Sequence, residues 1–216
     1  MARSASVTRA TRAAAHAARL AAVALHVMLA TPAADTLHAQ TADSSAAPFS
    51  TIALRATALS TIGRDGLRDW WRPSSGAEVE ASTPFPVGEA GVAIARVPFH
   101  SLDAAQPDFD ATIVSLRWGL ARRVGGPAVA RVHLTLGDFM MHFVDTSPTS
   151  QGLTRESELL VGAGARLDLR LARWLALSGG AGYQRVLTRV PINLVTFDAG
   201  ARLSAPTPHW LRGVLE

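Results

Sequence analysis

Three observations predict an all-β chain folded as an eight-stranded antiparallel up-and-down transmembrane β-barrel. Eight segments alternate polar and apolar residues, with the side-chain period of a strand and not of a helix. One face of each is apolar while the other carries arginines, carboxylates and glycines, the pattern expected where lipid lies outside and a wet or ion-paired lumen lies inside. Long and short links tend to alternate between the segments, as in a meander whose two ends face different surroundings.

The N-terminus comes first. Arginines spread over Met1–Arg19, an apolar run LAAVALHVMLA from Leu20 to Ala30 and then TPAADTLHA before Gln40 have the order of a secretory signal peptide, with cleavage predicted after Ala39. The run is too short to be a spanning anchor, which needs about 20 apolar residues. Residues 1–39 are therefore read as a signal peptide, 40–49 as a flexible N-terminal segment and 50–216 as the barrel domain. The formal charge is +4, but Arg3, Arg9, Arg12 and Arg19 against Asp35 supply most of it. The mature chain is close to neutral and gives no argument for nucleic acid. All 21 basic residues are arginine, whose planar fork suits carboxylate pairing in confined places. With no cysteine, there is no disulfide framework or thiolate metal site.

The predicted strands follow in order. Ser50–Ile62 places Ile52, Leu54, Ala56 and Ala58 outside and Arg55 inside. Gly76–Thr83 and Gly88–Phe99 bring Glu78, Glu80 and Arg96 to the lumen. Asp110–Leu120 shows lipid Thr112, Val114, Leu116, Trp118 and Leu120, with Arg117 behind them, and Ala128–His142 shows Ala130, Val132, Leu134 and Leu136, with Arg131 and His133 behind. Arg155–Leu171 is the longest alternating run: its apolar face continues from Leu159 to Leu171, opposite Glu158, Gly162, Gly164, Arg166, Asp168 and Arg170. Arg173–Leu187 carries several glycines, and Ile192–Ser204 closes the ring with Val195, Phe197, Ala199, Ala201 and Leu203 outside and Asp198 and Arg202 inside.

Eight strands enclose a lumen that side chains nearly fill. Unpaired charge there is costly, so the inward groups are expected to form one paired network: Arg55, Glu78, Glu80, Arg96, Arg117, Arg131, Glu158, Arg166, Asp168, Arg170, Asp198 and Arg202. Gly162 and Gly164 are expected to make room for Arg166. Two aromatic belts are predicted at the headgroup levels, with Phe49, Phe85, Trp118 and Trp174 at the end that holds the termini and Phe99, Phe109 and Phe143 at the other; Tyr183 fits neither. The first link, GRDGLRDWWRPSSG, offers Arg64, Arg68, Trp70, Trp71 and Arg72, either to recognise phosphates or a surface ligand or, the favoured reading, to anchor both tryptophans among lipid headgroups.

For catalysis, His100 with Ser101 and the rim residue His142 are the groups to watch, but no serine, base and carboxylate converge in the sequence. No histidine pair has ligand spacing on one face. The chain is read as a non-enzyme without cofactor or metal.

The stretches VGAGARLDLRL (Val161–Leu171), WLALSGGAGYQRV (Trp174–Val186) and VTFDAGARLSA (Val195–Ala205) resemble the small bacterial outer-membrane β-barrel proteins, the class of the OmpA membrane domain, OmpX and OmpW. The resemblance implies a porin-like architecture in the Gram-negative cell envelope, located in the outer membrane once the signal peptide is removed. It implies outer-membrane lipid and lipopolysaccharide as surroundings and the barrel-assembly machinery as a partner. The role expected is structural or surface-interacting, with the lumen closed by the Arg/carboxylate network. The alternatives are a small channel for a hydrophobic or small polar solute, a lipid-modifying outer-membrane enzyme and a soluble secreted β-barrel. Such barrels end on an aromatic-terminated strand, whereas PTPHWLRGVLE follows here. Extending the last strand to Trp210 is opposed by Pro206 and Pro208.

Overall fold

The computed structural model describes residues 47–215 apart from 65–66, 104–105, 144–154 and 190. The expected signal peptide, most of the segment 40–49 and the polar link Asp145–Thr154 lie outside the described residues. Among the described residues, nine strands form one antiparallel sheet: β1 (Thr51–Arg64), β2 (Trp71–Pro73), β3 (Gly76–Pro84), β4 (Glu89–Ser101), β5 (Phe109–Gly125), β6 (Ala128–Phe143), β7 (Arg155–Arg170), β8 (Leu175–Val186) and β9 (Ile192–Pro206). Each long strand pairs with its chain neighbour, and β1 pairs with both β3 and β9, so eight strands close into a ring. The remaining strand, β2, adds three residues to the end of β4. It follows a one-turn helix, α1 (Leu67–Trp70). A second helix, α2 (His209–Leu215), follows β9. Trp210 is thus helical and exposed, and the last strand ends before it.

Both β1 and β9 have their outer ends beside the short turns Phe85–Gly88, Gly126–Pro127 and Leu171–Trp174. We call this the turn end and the other the loop end. Gly88 has φ 85°, a conformation that favours glycine. A Cβ on it would also collide with the carbonyl oxygen of Gly119. Gly126, at φ 49°, turns the chain between β5 and β6.

Outside, aliphatic side chains from every long strand stand exposed: Leu54, Val79, Val92, Ile94, Leu116, Leu134, Leu159, Leu177 and Leu203 among them. On β1 this face runs from Ile52 to Ile62. At about 3.4 Å per residue and a tilt near 40°, it forms a band of roughly 25 Å, the height of a lipid-facing girdle. Below it, Phe85, Trp118 and Trp174 are exposed at the turn end. Phe49 packs on Phe85 edge to face at 5.8 Å.

At the loop end the polarity of both faces inverts. On β4, Val92 and Ile94 point out, but beyond them Arg96 and His100 point out and Val97 and Phe99 point in. On β5, Asp110 and Thr112 stand outside Phe109, Ala111 and Ile113. On β6, Asp138 and His142 face out while Phe139 and Met141 are buried. The outer-belt expectation is corrected accordingly: Phe99 and Phe109 are among the most buried side chains, and Phe143 packs against the same cluster. Tyr183, which fits no belt, is exposed on the outer face of β8 three residues from its end.

Candidate functional site in the barrel interior

The interior has two layers. Toward the turn end lie five arginines and five carboxylates in mutual contact. Arg117 on β5 grips Glu78 on β3 with a two-pronged fork, both bonds 2.5 Å, and also reaches Glu80. Arg166 on β7 donates to Glu78 at 2.9 Å, Glu80 at 3.2 Å and both oxygens of Asp198 at 3.1 and 3.2 Å. Arg55 bonds Glu80 and stands 3.7 Å from Glu78. Nearer the turns, Glu89 accepts from Arg131, from Arg202 at 2.5 Å and from Ser82 at 2.5 Å. Arg131 also donates to Asp168 at 2.6 Å. The two groups are individually neutral, three arginines against three acids and two against two. Balanced, hydrogen-bonded pairing is the condition under which buried charge is tolerated.

Toward the loop end the lumen is apolar. Phe99 stacks on Phe109 at 4.5 Å, and Phe139 meets Phe99 edge to face at 6.2 Å. Val97, Ile113, Met141, Leu160, Val186 and Leu194 complete the filling. Leu67 from α1 is buried in it, and Trp71 covers Phe109 at 5.5 Å while its indole N–H donates to the carbonyl of Pro107 at 3.0 Å. Anchoring by Trp71 in the headgroup layer is therefore corrected: this ring is directed inward, while Trp70, Arg68 and Arg72 are exposed. Between the two layers is a void of about 20 Å³, and one of about 30 Å³ lies within the ionic layer, each near the size of a single water site.

The structure brings together Arg55, Glu78, Glu80, Arg117, Arg131, Arg166, Asp168, Asp198 and Arg202. It corrects three other residues. Arg96 points outward, 70 % exposed, and pairs with Asp110 at 2.6 Å. Arg170 is exposed at the turn end of β7. Glu158 faces inward near the loop end, beyond the ionic layer and apart from its arginines. Glu89 is a member that sequence reasoning misses. It opens β4 with the same parity as Ala93 and Ala95, a parity that the apolar residues on both faces of that strand conceal.

Room for the network comes from opposing glycines, with the partners corrected. A Cβ on Gly180 would collide with Cγ of Arg166 and lie 2.7 Å from the carbonyl oxygen of Ala165, whereas one on Gly164 would strike the His133 ring at 2.6 Å. Gly180→Ala should therefore destabilise the folded barrel by about 1–3 kcal/mol, read as a lower urea midpoint in detergent.

Outside the barrel, His100 Nδ1 is 3.0 Å from Asp108, whose other oxygen accepts the Ser101 backbone N–H at 2.7 Å. The histidine contact first, and then this N–H, hold the Asp108 carboxyl below the usual carboxylate range. The Ser101 hydroxyl instead donates to the carbonyl of Asp103 at 2.6 Å, so this histidine does not activate it. His142 is exposed opposite Arg155. Among the described residues no three histidines or carboxylates are grouped to hold a metal ion.

No protein-family model matches the chain, and no curated protein matches it either. Among solved structures it is similar to Neisserial surface protein A, with 12% identity, a TM-score of 0.55 and coverage of 70% of this chain and 96% of that one. Ail, the attachment invasion locus protein of Yersinia pestis, aligns at 15% identity over 72% of this chain and 97% of its own with a TM-score of 0.46. A major outer membrane protein from Thermus thermophilus aligns at 11% identity over 72% and 99% with a TM-score of 0.46. Ring closure by eight antiparallel strands and the match to the Neisserial protein lead to one conclusion: this chain has the fold of the small bacterial outer-membrane β-barrels.

Proposed function

We propose that the protein resides in the bacterial outer membrane as a closed barrel with a structural or surface-interaction role. The observation that carries this is the inversion of polarity along the strands. In the turn-end half, aliphatic side chains face out and charges face in; in the loop-end half, Arg96, Asp110, Asp138 and His142 face out and the Phe99 cluster faces in. Lipid around the first half and water around the second explain both halves, since each then hides apolar surface from water. A soluble barrel would instead leave a belt of exposed leucines, isoleucines and valines right round the molecule, far beyond the few hundred Å² of apolar patch that soluble monomers carry. In this reading the turn end faces the periplasm and the loop end projects outside the cell.

A neutral ionic layer beneath an aromatic plug, with voids of only about 20 and 30 Å³ among the described residues, supports a lumen closed to ions. Refolded protein added to a planar lipid bilayer should give current indistinguishable from the protein-free membrane. Regular conductance steps would replace this role with that of a small channel.

A further inference from the structure

At the level where polarity inverts, three adjacent strands place Arg64 (β1), Asn193 (β9) and Arg185 (β8) side by side. Arg64 and Arg185 are both register partners of Asn193. All three share the outward parity of Ile62, Val195 and Tyr183, and both arginines are exposed. The Tyr183 hydroxyl donates to Asn193 Oδ1 at 2.6 Å, which ties the tyrosine ring to the strand that separates the arginines. Two strand spacings hold the arginines about 10 Å apart, within reach of a single tetrahedral anion placed between them.

On the strands of this side of the wall the outward charge is one-sided. Among the described residues, the outward faces of β1, β3, β7, β8 and β9 carry no carboxylate. The outward acids Asp110 and Asp138 are on β5 and β6, where Arg96 and Ser157 engage them. Directly beneath the two arginines the surface is apolar or aromatic: Ile62, Val195, Tyr183 and Phe197. A phosphate with acyl chains fits this arrangement; a soluble anion would use only its upper edge.

We propose that Arg64 and Arg185, flanking the Tyr183–Asn193 pair, form a binding site for a phosphate group of an outer-leaflet lipid, the phosphorylated glycolipid that lipopolysaccharide presents, with its acyl chains lying over Ile62, Val195 and Phe197. The proposal rests on the membrane reading above. Arginine forks bind phosphate oxygens in pairs, and the tyrosine at the apolar boundary sits where amphipathic rings favour the headgroup level. Of the stretch that the sequence offers for phosphate contact, Arg64 alone contributes, and the site falls on the barrel wall.

The test uses the refolded full barrel in zwitterionic detergent, with diphosphorylated lipid A, the same lipid after phosphate removal, or inorganic phosphate. The readout is the temperature at which the compact species is lost on unboiled gels. Phosphorylated lipid A should raise that temperature by several degrees, while the dephosphorylated lipid and inorganic phosphate should not. Arg64→Gln/Arg185→Gln should lose at least half of the shift and keep its lipid-free transition, whereas Arg96→Gln/Arg155→Gln should retain the shift. Equal shifts in the two double variants, or with the dephosphorylated lipid, would overturn the site. A shift from inorganic phosphate as large as from the lipid would overturn the lipid as its occupant. Absence of any heat-sensitive compact species would instead sink the membrane reading itself, a result separate from all of these.

Discussion

Glu78→Ala should cost about 3–5 kcal/mol of barrel stability, because it strands arginines buried in the lumen. Glu78 is 4% exposed and lies against Arg55, Arg117 and Arg166 at once. Its loss leaves that group with three cations and two anions, Glu80 and Asp198. Equilibrium unfolding in urea, in detergent micelles, reads the effect as a lower midpoint at unchanged slope. Glu78→Ala/Arg117→Met restores neutrality and fills volume with an apolar chain, so it should recover part of the loss and show coupling between the two sites. A Glu78→Ala barrel as stable as the wild type would mean that the ionic layer is hydrated and that the lumen is wetter than its packing indicates.

Phe139→Ala should cost a comparable amount, about 3–5 kcal/mol, by a different mechanism. The Phe139 ring is fully buried and wedged against Phe99, which in turn stacks on Phe109 beneath Trp71. Truncation opens a cavity between strands β4, β5 and β6 that only large rearrangement could close. The loss should hardly depend on salt, since the site carries no charge. Near-UV circular dichroism should lose part of the aromatic signal in the same variant. A loss below 1 kcal/mol would indicate that the loop-end half is not packed as a core.

The turn-end half of this fold is legible in the sequence for a simple reason. Between Leu54 and Ala58, Val114 and Trp118, Leu159 and Leu171, or Val195 and Leu203, one face is apolar and the other carries charge or small polar groups, so a period of two appears without ambiguity. The same alternation assigns Arg55, Glu78, Arg117, Arg166 and Asp198 to one compartment, although it does not say which arginine meets which acid. That pairing depends on the stagger between strands whose partners lie up to 113 positions apart, as for Arg202 and Glu89.

The loop-end half escapes the same reading because the apolar face changes sides there. In FDATIVSLRW, Phe109, Ala111 and Ile113 are apolar in one phase and Val114, Leu116 and Trp118 in the other. The change marks where the exposed aliphatic belt gives way to a polar outer surface. Keeping charge inside and aromatics outside along the whole strand puts Arg96 in the lumen and turns Phe99, Phe109 and Phe143 into a belt, whereas strict alternation from Val92 and Ile94 places Arg96 outside and Phe99 inside. The inversion recurs in GVAIARVPFH and in LGDFMMHF, and it is the available signal for the plug. Glycine pairing is harder to see. Gly180 faces Arg166 only through the register of β7 with β8, which no local pattern in either strand records.

A barrel proposed for the membrane on the strength of its apolar girdle should hold its closed ring in detergent until it is heated. The most direct measurement is a heat-modifiability gel on the chain from Gln40 to Glu216, refolded into detergent and run with and without boiling. The expected result is a compact unboiled band that boiling converts to one of different mobility, together with β-type circular dichroism and no folded protein when detergent is withheld. Coincident bands from a protein that folds and stays monomeric in plain buffer would contradict it, and the exposed leucines would then have to be covered by protein.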